Sequence, residues 1–193
     1  GGRAVQFLGD RLSLAFAALS AGMLGIVAAF SHRYLHRDPG FHRYFVLLAM
    51  FATGMELIAL AGNIEVLFIG CEMVGLSSAL LIAFFHERPA PLAHGLRVFS
   101  VYRISDAALL SAAVLLELKA GNGGLALLFS GGGAGPHLGG GAATAIAVLL
   151  IAAVAGKSAL LPFSGWLPRA MEGPTPSSAV YYGALSVHAG CFL

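Results

Sequence analysis

The reading of this chain turns on one stretch, Gly156-Lys157-Ser158-Ala159-Leu160-Leu161-Pro162-Phe163-Ser164-Gly165-Trp166-Leu167-Pro168-Arg169-Ala170-Met171-Glu172-Gly173-Pro174-Thr175-Pro176-Ser177-Ser178-Ala179-Val180-Tyr181-Tyr182-Gly183-Ala184-Leu185-Ser186-Val187-His188-Ala189-Gly190. A lysine lies near the end of one apolar segment, a proline break follows, and a histidine stands well inside the next segment. A plain membrane anchor avoids all three, because each leaves a charge or an unpaired polar group in hydrocarbon. A path for ions needs something like them.

Working outward, the composition is 58% hydrophobic and 10% charged, against about 25% charged in soluble domains. The long apolar runs make this a membrane protein. A formal net charge of +2 with no basic cluster gives no reason to expect nucleic acid as a partner. Cys71 and Cys191 sit in separate apolar runs, which suits small buried hydrophobes rather than a disulfide or metal framework. The start at Gly1 and the stop inside an apolar run read as a fragment of a longer chain, one transmembrane domain over 1–193.

Six membrane segments are expected: roughly 12–32, 42–61, 64–85, 92–118, then 142–171 broken at Pro162, and 177–193 cut short. The full ones approach the ~20 residues a helix needs to cross hydrocarbon. They lack the alternation of barrel strands. The expected fold class is all-α, a polytopic helical membrane bundle with one discontinuous helix. Asn63 after Gly62 can cap the third segment, which makes the second and third an antiparallel hairpin. The region 121–141 is about half glycine and reads as a flexible external loop. Arg33, Arg37, Arg43, Arg88, Arg97 and Arg169 all fall on one side if each segment crosses once, and the positive-inside rule makes that side cytoplasmic. The expected location is the inner membrane of the cell, multi-pass.

Charges inside the segments carry the functional reading. A carboxylate or lysine at the bilayer centre costs roughly 2.5–3.5 kcal/mol on insertion scales, so such groups usually face a bundle interior or a water path. Glu72 is the first, and a lysine in the same chain gives it a counter-charge. Arg103 and Asp106, three residues apart, can meet on one helix face, either as a self-satisfied pair or in a functional role. Glu56 has no partner in its own helix and is either protonated or paired across helices. Glu65 lies close enough to the interface to be solvated. Lys157 is either snorkelling to the cytoplasmic face or a proton carrier. Pro162 favours the carrier, because it frees a backbone carbonyl one turn earlier, and broken helices at membrane depth line ion sites. His188, at mid-membrane depth, is either a hydrogen-bonded core residue or part of a proton relay. Trp166 with Arg169 suits an interfacial anchor.

Two false motifs are set aside. Gly156-Lys157-Ser158 imitates the end of a P-loop, but Ile151 stands where its first glycine belongs; His86-Glu87 lacks the second histidine of a zinc protease, at Ala90. No cofactor is expected.

Three motifs in order resemble one family. Gly156-Lys157-Ser158-Ala159, Gly165-Trp166-Leu167-Pro168 and Ala170-Met171-Glu172-Gly173-Pro174-Thr175-Pro176 resemble the signature of the antiporter-like membrane subunits of respiratory complex I and the Mrp-type antiporters. Gly70-Cys71-Glu72-Met73-Val74-Gly75-Leu76-Ser77-Ser78 resembles the family segment with the key glutamate, and Arg103-Ile104-Ser105-Asp106 its following motif. The resemblance implies two inverted five-helix repeats, of which this chain holds the first. It also implies Glu72 and Lys157 as a coupled pair, with Asp106 nearby. Many complex I forms have histidine where Tyr182 stands, and an acidic residue is usual where Arg169 follows Trp-Leu-Pro. Pro168-Arg169-Ala170-Met171-Glu172-Gly173-Pro174-Thr175-Pro176-Ser177-Ser178-Ala179 and Ala184-Leu185-Ser186-Val187-His188-Ala189-Gly190 most resemble the shorter branch that works with a large soluble zinc-containing partner in inorganic carbon uptake. The expected function is a proton-conducting, cation-translocating subunit coupled to that partner. The alternatives are a non-redox proton-pumping subunit of NADH-quinone oxidoreductase, among other complex I subunits, and a structural membrane scaffold. The expected proton path comprises Glu72, Lys157, Asp106, Arg103, His188, Tyr182 and Glu56.

Overall fold

Five helices long and apolar enough to cross a membrane make up the described part of the chain: α1 (Arg11–Tyr34), α2 (Phe41–Ala59), α3 (Ile64–Ile82), α4 (Pro89–Ala120) and α5 (Gly140–Lys157). The structure, a computed structural model, describes residues 6–120, 140–178 and 185–192. The glycine-rich region up to residue 139, Tyr182 and most of the sixth segment's start lie outside the described residues. Two short 3₁₀ helices follow α5, at Phe163–Ala170 and His188–Phe192. The helical membrane bundle expected from the apolar runs is what the structure shows.

Local chemistry sets the helix starts. Asp10 caps α1 by accepting the Ser13 amide at 2.6 Å, a bond that holds its carboxyl below the usual range. Asn63 caps α3, its side-chain oxygen accepting the Val66 amide at 3.1 Å. Hydroxyls inside the apolar helices fold back on their own backbone: Ser31 and Ser78 donate to carbonyls four residues earlier.

Helices α2 and α3 pack as the antiparallel hairpin, α4 lies against α3 and α5, and α1 covers α2. Glycines set the closest of these crossings. A Cβ on Gly70 would come within 2.9 Å of the Gly54 carbonyl oxygen and the Ile58 nitrogen, so backbone meets backbone there. Helices in lipid gain contact by this route, since lipid tails are as apolar as leucine. Gly70→Val is therefore expected to cost about 1–3 kcal/mol through overpacking. The check is the midpoint of thermal unfolding in detergent, which should fall.

The arginine-bearing loops meet at one end. Arg43, in the first turn of α2, donates to the Phe84 carbonyl at 2.6 Å and stacks over the Phe84 ring, joining the start of α2 to the loop after α3. Arg43, His86 and Arg88, with Asp38 and Glu87, line a cleft of about 360 Å³ there. Tyr34 reaches Thr175, and His94 lies 3.5 Å from Glu172, so the chain beyond the first 3₁₀ helix returns to this end. At the other end Phe7 pairs with Ala61 beside the α2–α3 turn.

Candidate functional site: a chain of ion pairs across three helices

Four of the intramembrane charges form one connected row. Glu72 on α3 is held by the Nη2 of Arg103 on α4. The same nitrogen lies 3.1 Å from Oδ2 of Asp106, one helical turn along. The other carboxylate oxygen of Asp106 sits 2.7 Å from Lys157 Nζ, at the last residue of α5. Two acids and two bases make the row neutral, which lets it lie at membrane depth.

Burial divides the row in two. The Glu72 and Arg103 side chains are 28% and 39% exposed, whereas Asp106 and Lys157 are 2% and 4% exposed. Lys157 therefore does not snorkel. Its ammonium also donates to the Cys71 carbonyl at 3.0 Å and lies 4.7 Å from the centre of the Tyr102 ring, a cation–π contact. The carboxylate touching Lys157 is Asp106; Glu72 reaches it only through Arg103. The cause is packing: α5 lies chiefly on α4, so the acid on α4 meets the lysine.

The end of α5 explains how a lysine is left there. Ala159 takes the left-handed conformation at φ 52° and the Leu160 amide reaches back to the Ala155 carbonyl at 2.8 Å, the Schellman arrangement that stops a helix. An alanine in that region costs about 1–2 kcal/mol. The helix thus ends ahead of Pro162, which precedes the first 3₁₀ helix. The freed Gly156 carbonyl accepts the Trp166 indole N–H at 3.2 Å. Trp166 is 2% exposed and packs edge-on against Tyr102, so it is not the interfacial anchor expected from its sequence neighbours. It is buried because the 3₁₀ helix folds back onto α4. Close approach of α5 to α4 needs Gly156, where a Cβ would collide with the Ser105 side chain.

The other candidates sit elsewhere. Glu56 is half-buried and accepts the Ser20 hydroxyl at 2.7 Å, so its partner across helices is a neutral group on α1. His188 opens the second 3₁₀ helix with its side chain exposed. Tyr182 lies outside the described residues. Sequence reasoning passed over Tyr102, whose place beside Arg103 puts its ring on Lys157, and Ser186, which hydrogen-bonds Tyr102 at 3.0 Å.

Comparison with known proteins agrees with this architecture. Residues 61–193 match the family model described as NADH:quinone oxidoreductase/Mrp antiporter, TM. Residues 4–45 match NADH-Ubiquinone oxidoreductase (complex I), chain 5 N-terminus. The chain is 35% identical to NADH-quinone oxidoreductase subunit L of Mycobacterium tuberculosis, over 95% of its own length and 29% of that protein. It is 33% identical to NAD(P)H-quinone oxidoreductase chain 5 of Synechocystis, over 95% of its length and 28% of that relative. Among solved structures, the Mrp complex from a Dietzia species superposes with a TM-score of 0.83 at 33% identity, covering 95% of this chain and 20% of that one. The chain thus spans less than a third of the length of these relatives. With five apolar helices, a broken helix bearing Lys157 and these matches, the chain is a multi-pass inner-membrane protein and belongs to the NADH:quinone oxidoreductase/Mrp antiporter membrane family.

Proposed function

We propose that this chain carries a proton path of an antiporter-like, cation-translocating membrane subunit. The observation that carries the reading is the unbroken row Glu72–Arg103–Asp106–Lys157, half-exposed at Glu72 and Arg103 and buried at Asp106 and Lys157. Arg103 uses one nitrogen for two carboxylates. A proton arriving on Glu72 cancels the charge that holds the guanidinium, which then bears on Asp106 alone. Arg103 and Lys157 now compete for one acid, and Lys157 gives up its proton to a water beyond the row, the amine keeping the electron pair. Loss of the Glu72 proton restores the first arrangement. The path works because moving a carboxylate's counter-charge changes which protonation state of its neighbour is favoured.

Glu72→Gln in the complete polypeptide, reconstituted with its assembly, tests this reading. Glutamine still accepts from Arg103 but cannot carry the switching charge. Proton flux across proteoliposomes is expected to fall about tenfold or more, with assembly unchanged. Unchanged flux would favour a structural scaffold whose charges only hold helices together.

The partner is the second part of the proposal. The relatives are named as subunits of NADH-quinone oxidoreductases and of an Mrp complex, which supports an assembly of that kind. For coupling to inorganic carbon uptake, the support is the resemblance of residues 168–179 and 184–190 to that branch. Affinity purification separates the two. A flavin and iron–sulfur arm, or further antiporter subunits, supports the first; a large soluble zinc protein supports the second.

A further inference from the structure

We propose that the hydroxyls of Tyr102 and Ser186 form a relay that carries protons onward from Lys157 into the 185–192 segment. The proposal rests on the proton-path reading of Lys157. Tyr102 and Ser186 are 1% and 3% exposed, and their hydroxyl oxygens lie 3.0 Å apart, where either can donate. Replacing both partners of such a buried pair by apolar groups of the same shape can be nearly neutral for stability, so packing alone does not call for the two hydroxyls. The Tyr102 ring spans two regions. Its face carries the Lys157 ammonium at 4.7 Å and its tip is bonded to Ser186, while Trp166 braces its edge at 5.3 Å between centres. The segment holding Ser186 is docked on the helix break itself, through Ser158 donating to the Val187 carbonyl at 3.1 Å.

The transfer balances without a charged phenol. The proton on Lys157 Nζ passes to one bridging water, and the amine keeps the electron pair. Tyr102 Oη takes a proton from that water as its own phenolic proton moves along the existing bond to Ser186 Oγ. The Ser186 hydroxyl proton leaves to a further water. Each oxygen gains one proton and loses one, and rotation of both hydroxyls resets the pair. Because either oxygen can donate, the same pair serves flow in both directions.

The test is proton flux through the complete protein in its assembly, reconstituted in proteoliposomes, for Tyr102→Phe, Ser186→Ala, Ser186→Thr and Lys157→Ala. The relay predicts that Tyr102→Phe and Ser186→Ala each lower flux about tenfold or more. Their double variant should fall no further, and Ser186→Thr, which keeps a hydroxyl, should restore flux. Wild-type flux in Tyr102→Phe and Ser186→Ala, with none in Lys157→Ala, overturns the relay and leaves the proton path standing. Equal loss in Ser186→Ala and Ser186→Thr also overturns it, since packing then explains the effect. Unchanged flux in Lys157→Ala overturns the proton-path reading itself. If Tyr102→Phe fails to assemble, the two Ser186 variants decide.

Discussion

Proteoliposomes carrying Lys157→Ala are expected to show no proton flux above the lipid background, with the assembly purified at wild-type yield. Flux is lost because the ammonium is the end of the row that lies sealed from solvent, and no other basic side chain touches Asp106 from α5. Assembly is retained because Asp106 keeps Arg103, whose Nη2 lies 3.1 Å away. Alanine also removes the donor to the Cys71 carbonyl, which sits on a helix and keeps its place in the backbone ladder. Flux is read with a trapped pH-sensitive dye, and yield by size-exclusion chromatography.

Asp106→Ala acts in the opposite sense and is expected to damage stability most. It leaves the Lys157 ammonium with one carbonyl and one aromatic ring, both neutral, in a site 4% exposed. Removing one partner of a buried ion pair costs about 3–5 kcal/mol, because the remaining charge is uncompensated. It also leaves Arg103 with Glu72 as its remaining carboxylate partner. A large fall in the thermal midpoint of the purified protein is the expected readout. The double variant Asp106→Ala with Lys157→Ala should recover much of that stability and none of the flux. Recovery of one without the other separates the pair's structural cost from its use.

Much of this was legible in the residues. Apolar runs gave the helices, and Asn63 gave the start of α3. The cost of charge in hydrocarbon singled out Glu72, Arg103, Asp106 and Lys157, and the structure brings all four together. Which acid meets the lysine was not legible. That depends on how α4 and α5 are rotated against each other, and the nearly all-round apolar α5 carries no stripe to fix its rotation. The place where α5 ends was hidden for a different reason: an alanine, Ala159, takes a conformation usually marked by glycine. Trp166 misled because an amphipathic ring serves equally at an interface or in a core with a carbonyl to bond, and the freed Gly156 carbonyl decided it. Ser20, the partner of Glu56, lies 36 residues away, with no spacing to reveal it.

The central claim is that Lys157 releases a proton rather than only supplying a charge. Lys157→Arg separates the two most directly. Arginine keeps the positive charge and can pair with Asp106, yet it stays protonated in proteins. With the assembly intact, the account predicts that proton flux through Lys157→Arg falls to the level of Lys157→Ala. Flux near that of the wild type would contradict it.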